Sequence, residues 1–321
     1  MSRGEGKIEA RLNSDGSWVS QISPQAGRQA VVTGGSEGVG LAIALGLARA
    51  GADVVIAGDN DLGGREAANI LRQLVPHVLV RFEKLDLRSL ASVAEFAGRM
   101  HSAARGIDIL INQAGGIAPG RRQVTANGFE LHLGANYLAH FALTAHLLPL
   151  LRRSRKPRVL QMSSLGHRSA SIRFVDLQME RRYEASKAYA QSKLAMLMFA
   201  IELQRRSDFH HWGILSAAAH PGYAHTGEIA NGAEPQATAR RLIGAGGSLV
   251  SHSAAAGAQP ALFAAMAANV QRGGFYGPAG PFELFGPPGL ARVAKKAEDP
   301  ALARELWEAS EKLTLVKWPA E

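Results

Sequence analysis

Tyr189 and Lys193 stand four residues apart in the helix-like run Y-A-Q-S-K, so their side chains fall on one face. A phenol is a poor base near neutral pH, because its free pKa is about 10. An ammonium held beside it favours the phenolate. The oxygen can then take a proton from an alcohol or return one to a carbonyl. Taken alone, a Tyr–Lys pair at this spacing is more often a surface contact. Three further features shift that weighting. Ser163 and Ser164 directly follow an apolar strand-like run, and Asn112 opens N-Q-A-G after another. Asn136 lies in the apolar stretch G-A-N-Y-L-A-H-F-A-L, where the ordinary alternative is a hydrogen-bonded polar residue of a helix.

A second constellation is the cluster T-G-G-S-E-G-V-G, with Thr33, Gly34, Gly38 and Gly40 in the pattern T-G-x-x-x-G-x-G around Ser36, Glu37 and Val39. Glycines allow a tight turn and let the backbone approach a pyrophosphate, while the next helix offers unpaired N–H donors. A glycine turn without a ligand would look similar. Its place between a first strand and a helix is what the dinucleotide motif requires. A ribose 2′-phosphate would need cations here, whereas the sequence has Glu37 in the loop and Asp59 just after the second strand. Both would repel a phosphate, and a carboxylate can accept hydrogen bonds from free ribose hydroxyls, so NAD(H) is favoured over NADP(H). Gly58 occupies the more familiar place for a ribose-binding Asp, which leaves Asp59 displaced by one, and Arg65 could still reach a phosphate.

These groups need a scaffold. Short apolar runs at 29–33, 53–57, about 78–82, 107–111, 158–162 and 214–218 predict strands. Helical patterns lie between them at 39–50, about 61–74, 89–103, 129–153 (with Pro149 near its end) and 186–207. The alternation predicts an α/β fold, a doubly wound parallel sheet of Rossmann type with helices on both faces and ligands beyond the strands' carboxyl ends. Residues 1–28 read as an N-terminal extension, and 29–321 as one catalytic domain. Past residue 220 the pattern loosens into glycine- and proline-rich loops, with helices near 235–250, 254–269 and 299–313 around the substrate side. Phe275, Tyr276, Phe282, Leu284 and Phe285 could line a pocket for a lipophilic alcohol, aldehyde or ketone, or equally could pack a core.

Composition narrows the rest. The 321 residues contain no cysteine, which excludes disulfides, thiolate metal sites and a cysteine nucleophile. The net charge of +9 invites a nucleic-acid reading, yet the cations are scattered as pairs such as Arg121 with Arg122. The run at 152–158 follows a helix, where cations complement the dipole, so a solvated basic surface and no nucleic-acid partner are expected. His167, His220 and His225 show no metal-ligand spacing, and no metal is expected. The opening M-S-R-G-E-G-K-I-E-A carries no apolar core of signal-peptide length, the stretches around 194–203 and 254–268 are too short or interrupted to span a bilayer, and a cytoplasmic protein is the expectation.

From about residue 29 to 226 the ordered motifs resemble the short-chain dehydrogenase/reductase family, nearest to its retinol-dehydrogenase-like and protochlorophyllide-reductase-like branch. The resemblance rests on the glycine pattern, Asp86 and Leu87 after the third strand, N-Q-A-G, Asn136, the serine pair, Y-x-x-x-K and H-P-G-Y at 220–223. It implies an NAD(P)-dependent interconversion of alcohol and carbonyl. In that scheme Tyr189 is the acid/base, Lys193 lowers its pKa and binds the nicotinamide ribose, Ser164 (with Ser163 as the other choice) bonds the substrate oxygen, and Asn136 holds a relay water. Cofactor contacts are implied for Gly34, Ser36, Glu37, Gly38, Val39, Gly40, Asp59, Asp86, Leu87, Asn112, Ala114, Gly115, Tyr189, Lys193, Pro221, Gly222 and Thr226.

Two departures stand out. Gln113 replaces the usual second Asn, and the interval from Ser164 to Tyr189 is lengthened by R-F-V-D-L-Q-M-E-R-R-Y. The named branches commonly use NADP(H), with an Arg where this chain has Asp59, which opposes a direct transfer of their activity. A dinucleotide-binding regulator without turnover, and an isomerase or dehydratase on the same fold, remain alternatives. The apolar faces of 129–148 and 188–203 could pair between subunits of a homo-oligomer or face the sheet.

Overall fold

The computed structural model describes residues 22–116, 120–223 and 253–319. Its strands are β1 (Gln29–Thr33), β2 (Asp53–Gly58), β3 (Val80–Lys84), β4 (Ile109–Asn112), β5 (Arg158–Met162), β6 (Leu215–Ala219), β7 (Phe275–Pro278) and β8 (Pro288–Leu290). The long helices are α1 (Gly38–Arg49), α2 (Asp61–Leu74), α3 (Leu90–Ser102), α4 (Ala139–Leu151), α5 (Ala185–Phe209), α6 (Ala254–Met266) and α7 (Pro300–Thr314).

The strands form one sheet in the order β3-β2-β1-β4-β5-β6-β7-β8, parallel except for the last pair. β1 and β4 are buried at every position, which their continuous apolar sequences anticipate for strands covered on both faces. One apolar layer joins α1, α2 and α6 to the sheet through Ile43, Leu47, Leu71 and Phe263. The other joins α3, α4, α5 and α7 through Phe96, Phe141, Phe199 and Trp307. Gly46 lets α1 lie against α6, since a Cβ there would come within 2.5 Å of Leu262. From β1 the chain winds to β2 and β3 on one side, while β4 lies on the other. The carboxyl ends of β1 and β4 therefore flank the crevice where this topology binds ligands.

Several elements differ from the sequence expectation. The third strand is Val80–Lys84, two residues later than expected, because pairing with β2 starts at Val54 opposite Val80. The expected helix over 129–153 begins as a π-helix, His132–Leu138, and continues as α4. β7 and β8 fall where loops were expected. Phe275 and Tyr276 favour a strand, but Gly277 and Pro278 do not, and a run of two is too short to stand out in the sequence; pairing with β6 and β8 completes β7. Gly277 is required there, since a Cβ would meet the His220 ring at 2.0 Å. The expected helix near 235–250, Thr226, His225 and residues 1–21 of the expected extension lie outside the described residues.

The apolar faces of α4 and α5 do not all turn to the sheet. α7 and the segment after it cover them with Trp307 and Trp318, whose rings lie 5.0 and 5.5 Å from Phe141 and 5.8 and 6.1 Å from Phe199. Tyr137 Oη shares a 2.7 Å hydrogen bond with Ser310 Oγ of α7, and the Arg206 guanidinium sits 4.1 Å over the Trp307 ring.

Candidate active site

The turn from β1 into α1 is built for close approach. Gly34 and Gly38 adopt φ of +64° and +52°, where a side chain would be strained. Gly40 packs the first turn of α1 onto the loop, and a Cβ there would lie 2.0 Å from the Gly34 carbonyl oxygen. Glu37 is the N-cap residue of α1 but makes no side-chain cap, so the helix's first N–H groups are left for a ligand. Thr33 fastens this turn to the next one, its Oγ1 accepting from Gln113 N (2.9 Å) and Ala114 N (3.0 Å). With the Gln113 amide oriented to satisfy its neighbours, its nitrogen donates to Thr33 O (2.8 Å) and Gly34 O (3.1 Å). The amide that replaces the usual Asn thus braces the glycine loop.

A cavity of about 670 Å³ opens over these turns. Gly34, Ser36, Glu37, Gly38 and Val39 form one wall, and Asp59, Asp86 and Leu87 form another. Ala114, Gly115 and Asn136 close the inner end. The glycine cradle, the uncapped helix start and this length suit a dinucleotide. Gly40 does not line the cavity and serves packing. The Asn112 side chain is also turned away and fully buried. Its Nδ2 donates to Thr144 Oγ1 (2.9 Å) and Gln161 Oε1 (3.0 Å), which ties β4 to α4 and β5.

Tyr189 and Lys193 share the same face of α5, with Lys193 Nζ 5.7 Å from the centre of the half-buried Tyr189 ring. Lys193 is buried, and its Nζ donates to Met162 O at 3.1 Å. Gly115 (φ +148°) makes room at this point, since a Cβ would fall 2.9 Å from Asn136 Oδ1 and 3.2 Å from Lys193 Nζ. Asn136 lies in the π-helix, a form that recurs at functional sites, and its Nδ2 donates to Ser192 Oγ (3.0 Å) and Gly116 O (3.3 Å).

The serine pair divides by burial. Ser163 is buried and donates to Lys193 O at 2.8 Å, which pins α5. Ser164 is half-buried on the following turn, its Oγ accepting, among the described residues, from Gly166 N alone at 3.3 Å. That turn lies against Ala190, with 3.8 Å between a Cβ placed at Gly166 and the Ala190 backbone. Pro221 and Gly222 follow β6, and Gly222 N donates to His220 Nδ1 at 3.1 Å. His220 therefore carries its proton on Nε2, which donates to Glu283 at 3.0 Å. Burial pushes the His220 pKa down, against the pull of Glu283.

Three residues of this frame carry no motif. His132 lines the cavity and turns its ring edge-on to Tyr189 at 6.1 Å. It is held by the buried Glu130, which accepts from His132 Nδ1 (2.9 Å), His132 N (3.0 Å) and Leu133 N (2.7 Å). Burial pushes the Glu130 carboxyl up, but these bonds prevail and hold it below the ordinary carboxylate range. The third is His140, fully buried between Thr33 Oγ1 (2.9 Å) and the Asn136 carbonyl (2.9 Å). Thr33 already accepts two N–H bonds, so it donates to His140 Nε2, and His140 Nδ1–H donates to Asn136 O. The ring thereby links the glycine loop to the Asn136 backbone. In sequence the only trace of these residues is that polar groups interrupt an apolar run.

Burial pushes the His140 pKa from 6.5 down to about 4. Between those values the unfolded chain takes up a proton that the folded chain refuses, so stability falls as pH drops through this window. At about pH 5 the loss is on the order of 2 kcal/mol relative to neutral pH. Chemical denaturation of wild type and His140→Gln at the two pH values isolates it from the other buried histidines, such as His220. His140→Gln should flatten the slope, and an unchanged slope would contradict this placement.

The family model for short chain dehydrogenases matches residues 28–238. The chain belongs to the short-chain dehydrogenase family. This dehydrogenase is 36% identical over 298 residues to mouse (Mus musculus) polyprenol dehydrogenase, covering 91% of this chain and 85% of the relative. Against retinol dehydrogenase 13 of Mus musculus it is 35% identical over 293 residues, covering 89% and 84%. Among solved structures, an uncharacterized protein from Mycobacterium paratuberculosis superposes with a TM-score of 0.77 at 35% identity, covering 94% of this chain and 98% of that one. A Burkholderia cenocepacia short chain dehydrogenase in complex with NADP superposes with a TM-score of 0.59 at 25% identity, covering 76% and 92%. The dehydrogenase is thus an oxidoreductase of the NAD(P)-binding kind on a Rossmann-type sheet. No helix among its described residues is long and apolar enough to cross a membrane.

Proposed function

We propose that this dehydrogenase interconverts an alcohol and a carbonyl on a lipophilic small molecule, with Tyr189 as the acid/base and residues 29–321 acting as one catalytic domain. The observation that carries the reading is Lys193 Nζ 5.7 Å from the Tyr189 ring and next to Gly115, which with Asn136 lines the glycine-walled cavity. Gly34, Ser36, Gly38, Asp59 and Asp86 would hold a nicotinamide dinucleotide, which would supply the hydride exchange at the alcohol or carbonyl carbon. Tyr189 takes the hydroxyl proton as the alcohol is oxidised and returns it to the oxygen as the carbonyl is reduced. The Lys193 ammonium favours the phenolate that forms. Ser164, half-exposed where Ser163 is spent on α5, donates to the substrate oxygen, and Asn136 orients a water that passes the proton outward.

NAD(H) is placed ahead of NADP(H), because Glu37 and Asp59 both line the cavity and would oppose a 2′-phosphate. The lipophilic substrate rests on the relatives' names and on Phe282 and Phe285, which stay exposed beyond β7, whereas Phe275 and Tyr276 are buried in that strand. A cytoplasmic location belongs to the same reading, with cell fractionation as its check. Fluorescence titration with NADH and NADPH, followed by a panel of lipophilic alcohols, aldehydes and ketones, tests the whole. The expected result is tighter binding of NADH and turnover on long-chain members. Tighter NADPH binding would refute the order of cofactors, and absence of binding by both would refute the function.

A further inference from the structure

The outer wall of the cavity contains a cation that no motif accounts for. Arg88 follows Asp86 and Leu87 on the loop after β3, and all three residues line the cavity together with Asp59. Its Nη2 lies 3.1 Å from Asp59 Oδ2 and 3.2 Å from Asp86 Oδ2, and its Nε lies 3.0 Å from Asp86 Oδ1. Arg88 N also donates to Asp86 Oδ1 at 2.8 Å. The Asp86 contacts hold the guanidinium at the end of β3. The Asp59 contact is the single bond that draws it toward the end of β2. Nη1 makes no hydrogen bond among the described residues, and the side chain remains 57% exposed.

We propose that Arg88 is the specificity-determining residue for the ribose 2′ position, shared between Asp59 and an incoming 2′-phosphate. This rests on the reading of the cavity as a dinucleotide site. While Arg88 is paired with Asp59, the carboxylate is held in place to accept from free ribose hydroxyls, as NAD(H) requires. A phosphomonoester carries more charge than the Asp59 carboxylate and presents three acceptor oxygens. It takes the Nη1 and Nη2 donors while Nε stays on Asp86. Arg is suited to this exchange because its planar fork bonds carboxylate and phosphate alike. Asp59 then opposes the phosphate by charge, and Arg88 supports it. The cavity consequently admits both dinucleotides, and the balance between these two side chains sets their ratio.

Neither side chain is buried, and exposed pairs of this kind contribute about 1 kcal/mol or less to stability, so the variants should fold. The test is a titration of wild type, Arg88→Ala, Asp59→Asn and the double variant with NADH and NADPH. Competition by 2′,5′-ADP and 5′-AMP isolates the adenosine end, and thermal unfolding serves as the folding control. Arg88→Ala should weaken NADPH and 2′,5′-ADP about tenfold or more, with NADH and 5′-AMP changed less than about threefold. Asp59→Asn should tighten NADPH about tenfold, and the double variant should lose that gain. Equal weakening of both dinucleotides by Arg88→Ala, or no change in their ratio, would overturn the proposal while leaving the dinucleotide site intact. Failure of the wild type to bind either dinucleotide would remove the site itself, and the proposal with it.

Discussion

Tyr189→Phe is expected to bind NADH and NADPH as the wild type does and to turn over about a thousandfold more slowly or worse. Only the hydroxyl is lost. The ring keeps its edge-on contact with His132 and its place on α5, whose buried face is formed by other residues. What disappears is the group that exchanges a proton with the substrate oxygen, and Lys193 and Asn136 are held by bonds of their own. Lys193 Nζ donates to Met162 O, and Asn136 Nδ2 to Ser192 Oγ and Gly116 O. Binding by fluorescence titration and steady-state turnover on the same preparation separate the two quantities. A variant that keeps more than about a tenth of wild-type turnover would show that the proton passes through another group. One that loses cofactor binding as well would mean that Tyr189 holds the dinucleotide more than it handles protons.

The second large effect concerns α7. Trp307→Ala should destabilise the protein by about 3–5 kcal/mol, the usual cost of removing a large buried aromatic side chain. Trp307 is 2% exposed and packs against Phe141, Phe199 and Trp318, with ring centres 5.0, 5.8 and 4.7 Å away. Its loss leaves a cavity and frees α7 from the faces of α4 and α5. Denaturant midpoints and slopes give the loss directly. Trp307→Phe, which fills part of the volume, should cost markedly less. A loss below about 1 kcal/mol for Trp307→Ala would mean that α7 only lies over the domain without bracing it. Because α7 covers part of the faces that the sequence left open to pairing between subunits, light scattering on Trp307→Ala should also show more self-association than on the wild type.

The readable parts of the sequence were those set by local chemistry. The glycine spacing was legible because few residues tolerate the φ of Gly34 and Gly38, and the Tyr–Lys spacing because a helix repeats every 3.6 residues. Strands buried on both faces, such as β1 and β4, announce themselves as apolar runs. The illegible parts depend on partners far away in sequence. β7 is a strand because β6 and β8 flank it, and Gly277 is needed because the His220 ring lies where its Cβ would be. The π-helix around Asn136 has an ordinary helical sequence, and its winding accompanies tertiary bonds such as His140 to Thr33. Nothing in D-L-R shows that Asp59 stands within 3.1 Å of Arg88. The burial of Glu130 and His132 is equally illegible in sequence, because a buried carboxylate is tolerable only where several donors converge on it.

The proposed reaction is the transfer of a hydride to a carbonyl carbon with a proton from Tyr189. The decisive measurement supplies NADH deuterated at the transferring position together with a long-chain aldehyde, and follows the label by mass spectrometry in wild type and Tyr189→Phe. Deuterium is expected on the carbinol carbon of the alcohol formed by the wild type, and almost none from the variant over the same time. Bound cofactor that keeps its label, with wild type and variant alike, would contradict it and leave a dinucleotide-binding protein without this chemistry.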